Sequence, residues 1–219
     1  MGSRKDKQQI KCVIYDCDGV LFDSLEANRR LYNHICVSMG RKPLAKEELG
    51  YCHTHTVFEA IHSLFQNGEE EKRALEFLRH NVDLKQFVEY LVMEPHLLET
   101  LTILRQKKII TAISTNRTTS MKHVIERFGL QPYFDMVVTA LDVQHPKPHG
   151  ESVEKIISAF NLNKKEVLFV GDSDVDKQTA EASAVSFVAY KARYLSEDAS
   201  IDDHLALLNF LSDGHAPQE

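Results

Sequence analysis

The sequence has no apolar run approaching the roughly 20 residues that a transmembrane helix needs. Its first nine residues, Met1 to Gln9, are polar and mixed in charge, and they lack the apolar centre of a secretory signal peptide. These absences argue against a membrane protein and against secretion by that route. We therefore expect a cytoplasmic protein that has no membrane partner.

Positive charge is also scarce. The chain has 26 Lys and Arg residues against 32 Asp and Glu residues, a formal net charge of -6, and no basic stripe. A nucleic-acid-binding surface needs such a stripe, so we expect no nucleic-acid partner. An anionic substrate must instead be held by a few local groups.

Paired cysteine motifs, internal repeats and low-complexity tracts are missing as well. None of the 4 cysteines forms a CxxC pair, and a chain of 219 residues can bury a full core without disulfides. We therefore expect reduced, buried thiols at Cys12, Cys17, Cys36 and Cys52.

What the sequence does contain is an alternation of strand-like and helix-like segments. Short apolar segments bounded by polar turns occur at 12–15, 109–113, 136–138, 167–170 and 186–189. Amphipathic segments with helical spacing occur at 97–106, 120–128, 151–160 and 177–184. This alternation predicts an α/β fold, a Rossmann-like three-layer core with a parallel sheet.

Residues 24–94 interrupt that rhythm. They show no clear strand and have helical patterning at 29–39, 57–65 and 72–92. Pro95 suits the first turn of a helix, and the regular alternation resumes after it. We therefore predict an α/β core formed by residues 1–23 and 95–219, with a helical domain inserted at 24–94.

Acidic residues follow two of the predicted strands. Asp16 and Asp18 come directly after the first strand, where Asp-Gly alone would indicate only a turn. Asp172, Asp174 and Asp176 follow the strand at 167–170, and Lys177 stands where a calcium-binding EF-hand loop needs glycine.

Parallel strands end at one edge of a sheet, so these acids are expected to converge in one crevice. Crowded carboxylates repel one another unless a cation lies among them. An all-oxygen site of this kind predicts Mg²⁺.

An anion site is predicted beside them. The strand at 109–113 ends in a polar segment at 114–119 and then enters a helix, where hydroxyl, amide and backbone N–H groups favour a phosphoryl oxygen. Simple helix capping by Ser or Thr is an equal alternative for this segment alone. We assign Thr115, Asn116 and Arg117 to substrate binding, together with Lys147, which lies between Pro146 and Pro148 in a stiff loop.

In this order, the four segments resemble the signature motifs of the haloacid dehalogenase superfamily, most closely its phosphoglycolate phosphatase and β-phosphoglucomutase branch. The matching patterns are a DxDGxLxDS stretch, a Thr-Asn strand end, a Lys-Pro loop and a GDSxxD turn. Together they span residues 13–189.

The resemblance implies catalytic roles for four residues. Asp16 would attack phosphorus and form an aspartyl phosphate, and Asp18 would act first as general acid and then as general base. Thr115 would bind a phosphoryl oxygen, and Lys147 would stabilise the charge that gathers during transfer. Asn116 would bind the neighbouring backbone or the substrate.

The resemblance also implies the metal ligands. Asp16, the backbone carbonyl of Asp18 and Asp172 would surround Mg²⁺, while Asp176 and Ser173 would form its outer shell. Dehalogenases and phosphonate-cleaving relatives lack an acid at the position of Asp18, so phosphate-ester chemistry is what remains.

The insertion is similar to a helical cap that closes over the active site. In relatives, a cap loop corresponding to residues 50–56 points at the substrate, so we assign His53 and His55 to substrate binding, although lone histidines are more often surface or packing residues.

This chain also departs from the family at three positions. Cys17 replaces a larger apolar residue, Gly150 a common proline and Ala184 a common glycine. Cys17 is interpreted as a packed thiol, with a redox-sensitive brake as the alternative.

Two other functions stay open. A phosphomutase shares every catalytic residue, but residues 50–56 contain no Lys or Arg to hold a second phosphate, which favours hydrolysis. A non-catalytic binding module is opposed by the complete set of catalytic residues. We expect a small phosphorylated metabolite as substrate and a monomer or homodimer.

Overall fold

The structure is a computed structural model that describes residues 9–212, except for the side chains of residues 54 and 212. The expectation that no signal peptide is present concerns residues 1–9, of which 1–8 lie outside the described residues. Within the described part of the chain, no helix combines the length and the apolarity that crossing a bilayer requires.

A parallel sheet of six strands, in the order β5-β4-β1-β6-β7-β8, forms the centre of the fold. Its strands are β1 (Cys12–Tyr15), β4 (Ile110–Ser114), β5 (Met136–Val138), β6 (Val167–Gly171), β7 (Ser186–Tyr190) and β8 (Ser200–Ile201). Two short strands, β2 (Phe22–Asp23) and β3 (Val92–Met93), pair antiparallel outside this sheet.

The helices occupy two regions of the chain. Between β2 and β3 lie α1 (Leu25–Ser38), α2 (Lys46–Thr54), α3 (Val57–Leu64), α4 (Gly68–Asn81) and α5 (Lys85–Val88). The others are α6 (Leu97–Gln106), α7 (Ser120–Phe128), α8 (Glu151–Phe160), α9 (Asp174–Ser183) and α10 (Leu207–Ser212).

Burial on both faces explains why the sheet is parallel. All residues of β1 are buried, and successive side chains enter different clusters: Val13 and Tyr15 join one core, and Cys12 and Ile14 join the other. Residues of α6 and α7 belong to the first core, and residues of α8 and α9 to the second. The Rossmann-like three-layer prediction is therefore confirmed.

The five strands predicted in the core occur within one residue of their expected ends. Three of the four core helices match exactly, whereas α9 begins three residues before its expected start at 177. Its start is fixed by Ser173, whose hydroxyl accepts from the backbone N–H of Asp176, so polar capping extends the helix beyond its amphipathic part.

Residues 24–94 differ from expectation in two places. No strand was recognised in this segment, which is wrong because β3 lies there. A strand of two residues is too short to show an alternation of apolar and polar side chains. The single helix expected at 72–92 is also wrong. It breaks at the extended residue Val82, and Asp83 then accepts from the backbone N–H of Lys85 as α5 begins.

Helices α1 to α4 pack around a separate hydrophobic core. Its largest members include Tyr32, Ile35, Ile61 and Phe65, all at most 3% exposed. The β2–β3 pair joins the two chain segments that connect this helical region to the sheet, with Phe22 opposite Met93. The helical region therefore leaves the sheet and returns to it at one point.

Ala184 occupies a strained position directly after α9. Its φ of 55° and ψ of 43° lie in the left-handed region, which a Cβ disfavours, and the residue is exposed. We predict that Ala184→Gly raises the free energy of unfolding by about 1 kcal/mol. Urea denaturation measures this change.

The control is Ala182→Gly, on an exposed position of α9 itself. It should lower the same free energy by roughly 0.5–1 kcal/mol, because glycine is a poor helix former. A loss of stability in both variants would contradict the assignment of strain to Ala184.

Candidate active site

Three neighbouring strands deliver the polar residues to one edge of the sheet. β1 lies between β4 and β6, and all three run parallel. Asp16 follows β1, Thr115 follows β4, and Asp172 follows β6. The predicted convergence of the strand ends therefore exists in the structure.

The acids form a compact cluster at this edge. Oxygen atoms of Asp16, Asp172 and Asp176 lie within 4.8 Å of one another. Asp16 is 7% exposed and Asp176 is fully buried. Burial, followed by the charge of Asp176, raises the pKa of both Asp16 and Asp172 above the ordinary carboxyl range. The cluster thus has more negative charge than the protein alone comfortably neutralises.

Two glycines allow the acids of this cluster to lie so close to neighbouring backbone. The sequence motifs did not identify either glycine as essential. Gly19 has a φ of 74°, and a Cβ on it would lie 1.9 Å from Oδ2 of Asp172. A Cβ on Gly171 would lie 2.3 Å from Cβ of Asp176. The Asp-Gly turn signal pointed to Gly19 only as a turn residue, because its contact with Asp172 joins distant parts of the chain.

Lys147 supplies the positive charge within the cluster. Its Nζ donates to Oδ1 of Asp16 at 2.7 Å and to Oδ1 of Asp176 at 2.6 Å, and its side chain is 3% exposed. Burial opposes the charged form, but the two carboxylates outweigh burial and raise the pKa of Lys147 above its ordinary value. The side chain is therefore a fixed ammonium.

Both carboxylate oxygens of Asp176 accept hydrogen bonds from neighbouring protein groups. Its Oδ2 accepts from the hydroxyl of Ser173 at 2.7 Å and from the backbone N–H groups of Asp172 and Ser173 at 3.2 and 3.3 Å. Its Oδ1 accepts from Lys147. Asp176 therefore links the turn after β6 to Lys147.

Asp18 has a partner that the sequence did not indicate. Arg117 donates to it through Nε at 2.7 Å and Nη2 at 2.6 Å, a two-pronged ion pair. Burial acts to raise the pKa of Asp18, but the charge and hydrogen bonds of Arg117 outweigh burial and hold it below the usual range. Arg117, expected to bind substrate, thus binds a carboxylate of the protein here.

Thr115 and Asn116 lie where an anion site was expected. The Thr115 hydroxyl accepts from the backbone N–H of Arg117 at 3.1 Å. The side-chain amide of Asn116 donates to the carbonyl of Lys147 at 3.1 Å, which ties the strand end to the lysine loop. The carbonyl oxygen of the Asn116 side chain is buried without a protein partner.

A cavity of about 90 Å³ joins this site to the helical region at 24–94. The lining residues from the sheet side include Asp16, Asp18, Thr115, Asn116, Arg117, Lys147 and Asp172. Those from residues 24–94 are Asn28, Leu31, Tyr32, Cys52, His53, His55, Val57 and Leu84. Asn28 and Tyr32, on α1, were not singled out from the sequence, because their helix shows only ordinary amphipathic spacing.

His53 and His55 both line this cavity. His53 Nδ1 lies 2.9 Å from the side-chain amide of Asn28, and the His55 ring stacks on Tyr51 with centroids 3.8 Å apart. The segment expected to be a cap loop at 50–56 is mostly helical, since α2 continues to residue 54. His53 is therefore presented by a helix rather than by a loop.

All four cysteines are buried, as expected. Cys17, between the two acids of the first turn, is fully buried, and burial raises the pKa of its thiol above the ordinary value. A protonated, enclosed thiol is unreactive, which favours the packing role over the redox brake.

Comparison with known proteins agrees with this geometry. A family model described as Haloacid dehalogenase-like hydrolase matches residues 13–190. A crystal structure of a HAD-superfamily hydrolase, subfamily IA, variant 1, from Geobacter sulfurreducens is 38% identical, with a TM-score of 0.75, and the match covers 93% of this chain and 97% of that one.

Two curated relatives carry phosphatase names. A phosphoglycolate phosphatase from Rhodobacter capsulatus is 27% identical over 83% of this chain and 84% of its own length. A pyrophosphatase PpaX from Oceanobacillus iheyensis is 21% identical over 94% of this chain and 99% of its own length. The resemblance read from the four motifs is confirmed, and the chain belongs to the haloacid dehalogenase-like hydrolase family.

Proposed function

We propose that this protein is a Mg²⁺-dependent phosphohydrolase that cleaves a phosphate monoester of a small metabolite. The observation that carries the proposal is the contact of Lys147 with Asp16 at 2.7 Å, near Asp172 and in the lining of the cavity. The proposed nucleophile Asp16, the ammonium of Lys147 and the proposed cation site would then lie around the phosphoryl group of a bound substrate.

The residues present fit Mg²⁺. The donor atoms are all oxygens, as this ion prefers. Burial and then the charge of Asp176 raise the pKa of both Asp16 and Asp172, and a cation among these carboxylates would favour their ionised form. We propose that Asp16, Asp172 and the backbone carbonyl of Asp18 bind the ion. Asp176, whose Oδ2 already accepts three hydrogen bonds and whose Oδ1 is paired with the Lys147 ammonium, would orient Asp172 and Lys147 from the outer shell.

In the proposed reaction, Asp16 attacks phosphorus and its carboxylate takes the phosphoryl group, while the oxygen of the leaving alcohol departs. Thr115 and Lys147 hold phosphoryl oxygens and stabilise the charge that spreads over them. Bound Mg²⁺ would neutralise phosphate charge next to Asp16. Water then releases phosphate from Asp16, so one difficult displacement becomes two easier ones.

Asp18 is proposed as the proton carrier. It protonates the leaving oxygen in the first step and removes a proton from water in the second. The ion pair with Arg117 keeps Asp18 ionised while no substrate is present. An incoming phosphate competes for Arg117 and thereby frees Asp18 to carry a proton.

Hydrolysis is favoured over a mutase reaction by the cavity lining. Arg117 and Lys147 are the only Lys or Arg residues among the described residues that line the cavity, and both lie on the sheet side. The residues from 24–94 offer His, Asn and apolar groups instead, so a second phosphate would meet no Lys or Arg there. The two relatives are named for different substrates and share at most 27% identity with this chain, so neither name identifies its substrate.

The first test is turnover of an aryl phosphate with and without Mg²⁺. We predict that activity requires Mg²⁺ and that Asp16→Asn lowers kcat by at least about 10³-fold, because the amide cannot form the phosphoenzyme. Asp174→Asn is the matched control, since Asp174 is exposed at the start of α9, only two residues from Asp172. Full activity of Asp16→Asn would refute the mechanism.

A panel of metabolite phosphates then separates the alternatives. Interconversion of sugar phosphates with a bisphosphate primer, without hydrolysis of any ester, would establish the mutase. Ligand binding without turnover in both assays would establish the non-catalytic module.

A second prediction concerns Arg117. Arg117→Ala should lower kcat/KM by about 10- to 100-fold, the effect of losing charge-assisted hydrogen bonds to phosphate and to Asp18. Arg117→Lys should recover only part of this loss, because an ammonium lacks the planar fork. Added guanidinium ion should partly rescue the Ala variant but not the Lys variant. Arg127→Ala, at an exposed site on α7, is the control, and equal effects at the two positions would contradict the role.

A third prediction concerns the charge balance. Lys147→Met leaves Asp16 and Asp176 buried without their ammonium and should lower the free energy of unfolding by about 3–5 kcal/mol. Saturating Mg²⁺ should restore part of this loss by binding the folded state. Urea denaturation with and without Mg²⁺ measures both effects. Lys165→Met, at an exposed site, is the control, and an unchanged stability of Lys147→Met would contradict the balance.

A further inference from the structure

A second group of potential metal ligands lies on the loop that carries Lys147. His145, His149 and Glu151 each place one nitrogen or carboxylate oxygen within 4.8 Å of the others. Nδ1 of His145 lies 3.1 Å from Oε2 of Glu151, and the two imidazole rings have centroids 4.8 Å apart. Both histidines are exposed, so the group is open to solvent.

Glu151 is held in place as an anion. Its two carboxylate oxygens accept from the backbone N–H groups of Gln144 and His145, each at 2.9 Å. These bonds lower the pKa of Glu151 below its ordinary value. As the first residue of α8, Glu151 also lies where the helix dipole favours negative charge. A carboxylate fixed by outer hydrogen bonds is the usual form of a metal-binding acid.

The two histidines are held by a stiff segment of chain. Pro146 follows His145, Pro148 precedes His149, and the backbone N–H of His149 bonds to the carbonyl of Pro146 at 3.0 Å. Ligands on a rigid loop lose little conformational entropy when they bind an ion. The loop therefore places both imidazoles beside the carboxylate before any ion arrives.

We propose that His145, His149 and Glu151 form a second metal site, for Zn²⁺ or a transition-metal ion of similar preference. Imidazole with one carboxylate suits such ions, whereas Mg²⁺ prefers oxygen ligands alone. Ligands about 2.0–2.1 Å from a tetrahedral Zn²⁺ lie roughly 3.3 Å apart, close to the separation of His145 and Glu151.

His149 must adjust to complete the site. Its Nδ1 accepts a 3.2 Å hydrogen bond from the backbone N–H of Glu151, so coordination through that nitrogen gives up one long bond. The ring is exposed and can turn without disturbing the core. Solvent water would supply the fourth ligand.

A metal ion bound at this site would affect the loop that carries Lys147. The bound ion would connect His145 and His149, on the two sides of Lys147, to the first residue of α8. The Lys147 side chain reaches away from this exposed group to Asp16 and Asp176 in the buried cluster. Zn²⁺ would therefore stabilise the loop in the conformation that places the ammonium.

Among residues 9–212, two other sets of side chains could compete for Zn²⁺. The cysteines are all buried, which removes the thiols from competition. The carboxylate cluster of Asp16, Asp172 and Asp176 is the remaining competitor, and an excess of Mg²⁺ together with the variant Asp172→Asn separates it from the proposed site.

The experiment is a calorimetric titration of the tag-free full chain with Zn²⁺ in excess Mg²⁺, paired with thermal unfolding. We expect one Zn²⁺ per chain, and a midpoint of unfolding that rises with Zn²⁺ concentration. His149→Ala and Glu151→Gln should each weaken binding by at least about tenfold, and Asp172→Asn should leave it intact.

The matched control is His62→Ala. Nδ1 of His62 lies 3.0 Å from Oε2 of Glu71, so this exposed pair reproduces the His145–Glu151 contact, and it is not among the groups of three potential ligands within the described residues. Its loss should leave the titration unchanged. Undiminished Zn²⁺ binding by the double variant H145A/H149A, or loss of binding in Asp172→Asn alone, would overturn the proposal.

Discussion

The crowding of negative charge among Asp16, Asp172 and Asp176 is the constraint on which the site depends. Three carboxylates with oxygens within 4.8 Å cannot all stay ionised in a buried place unless positive charge joins them. Lys147 supplies one charge through two short contacts. The remaining negative charge is the reason for proposing a bound cation here, because acids that only stabilised the fold would gain nothing from this arrangement.

The backbone conformation brings these charges together. Parallel strands deliver the acids to one edge, and Gly19 lets the turn after β1 approach Asp172 more closely than a Cβ would allow. Gly171 likewise leaves room for Asp176 within the segment that follows β6. Ser173 and the backbone N–H groups of its turn then hold Asp176 in place. Polar contacts thus orient the carboxylates of Asp16, Asp18 and Asp176 before any ligand binds.

Much of this was readable from the sequence, because buried strands leave continuous apolar segments and acids or Thr115 mark the ends of three of them, while Lys147 stands between two prolines. The features that the sequence did not reveal are a very short strand and contacts between distant residues. β3 is too short to show a period, and the contact of Gly19 with Asp172 joins residues 153 positions apart. The pairing of Arg117 with Asp18 depends equally on tertiary placement. Local patterns record which element a residue belongs to, not which distant residue it meets.

The Arg117–Asp18 pair shows why that gap matters for function. From sequence, Arg117 is one more group for phosphate and Asp18 is a free acid. In the structure each satisfies the other, with side chains 12% and 19% exposed. As the proposed general acid, Asp18 must hold a proton, yet the bidentate guanidinium of Arg117 lowers its pKa and favours the ionised form. If Arg117 binds the substrate phosphate as we propose, the same guanidinium restrains the acid, so phosphate binding would release Asp18 for proton transfer. Without substrate, the structure shows the Asp18 carboxylate paired with Arg117.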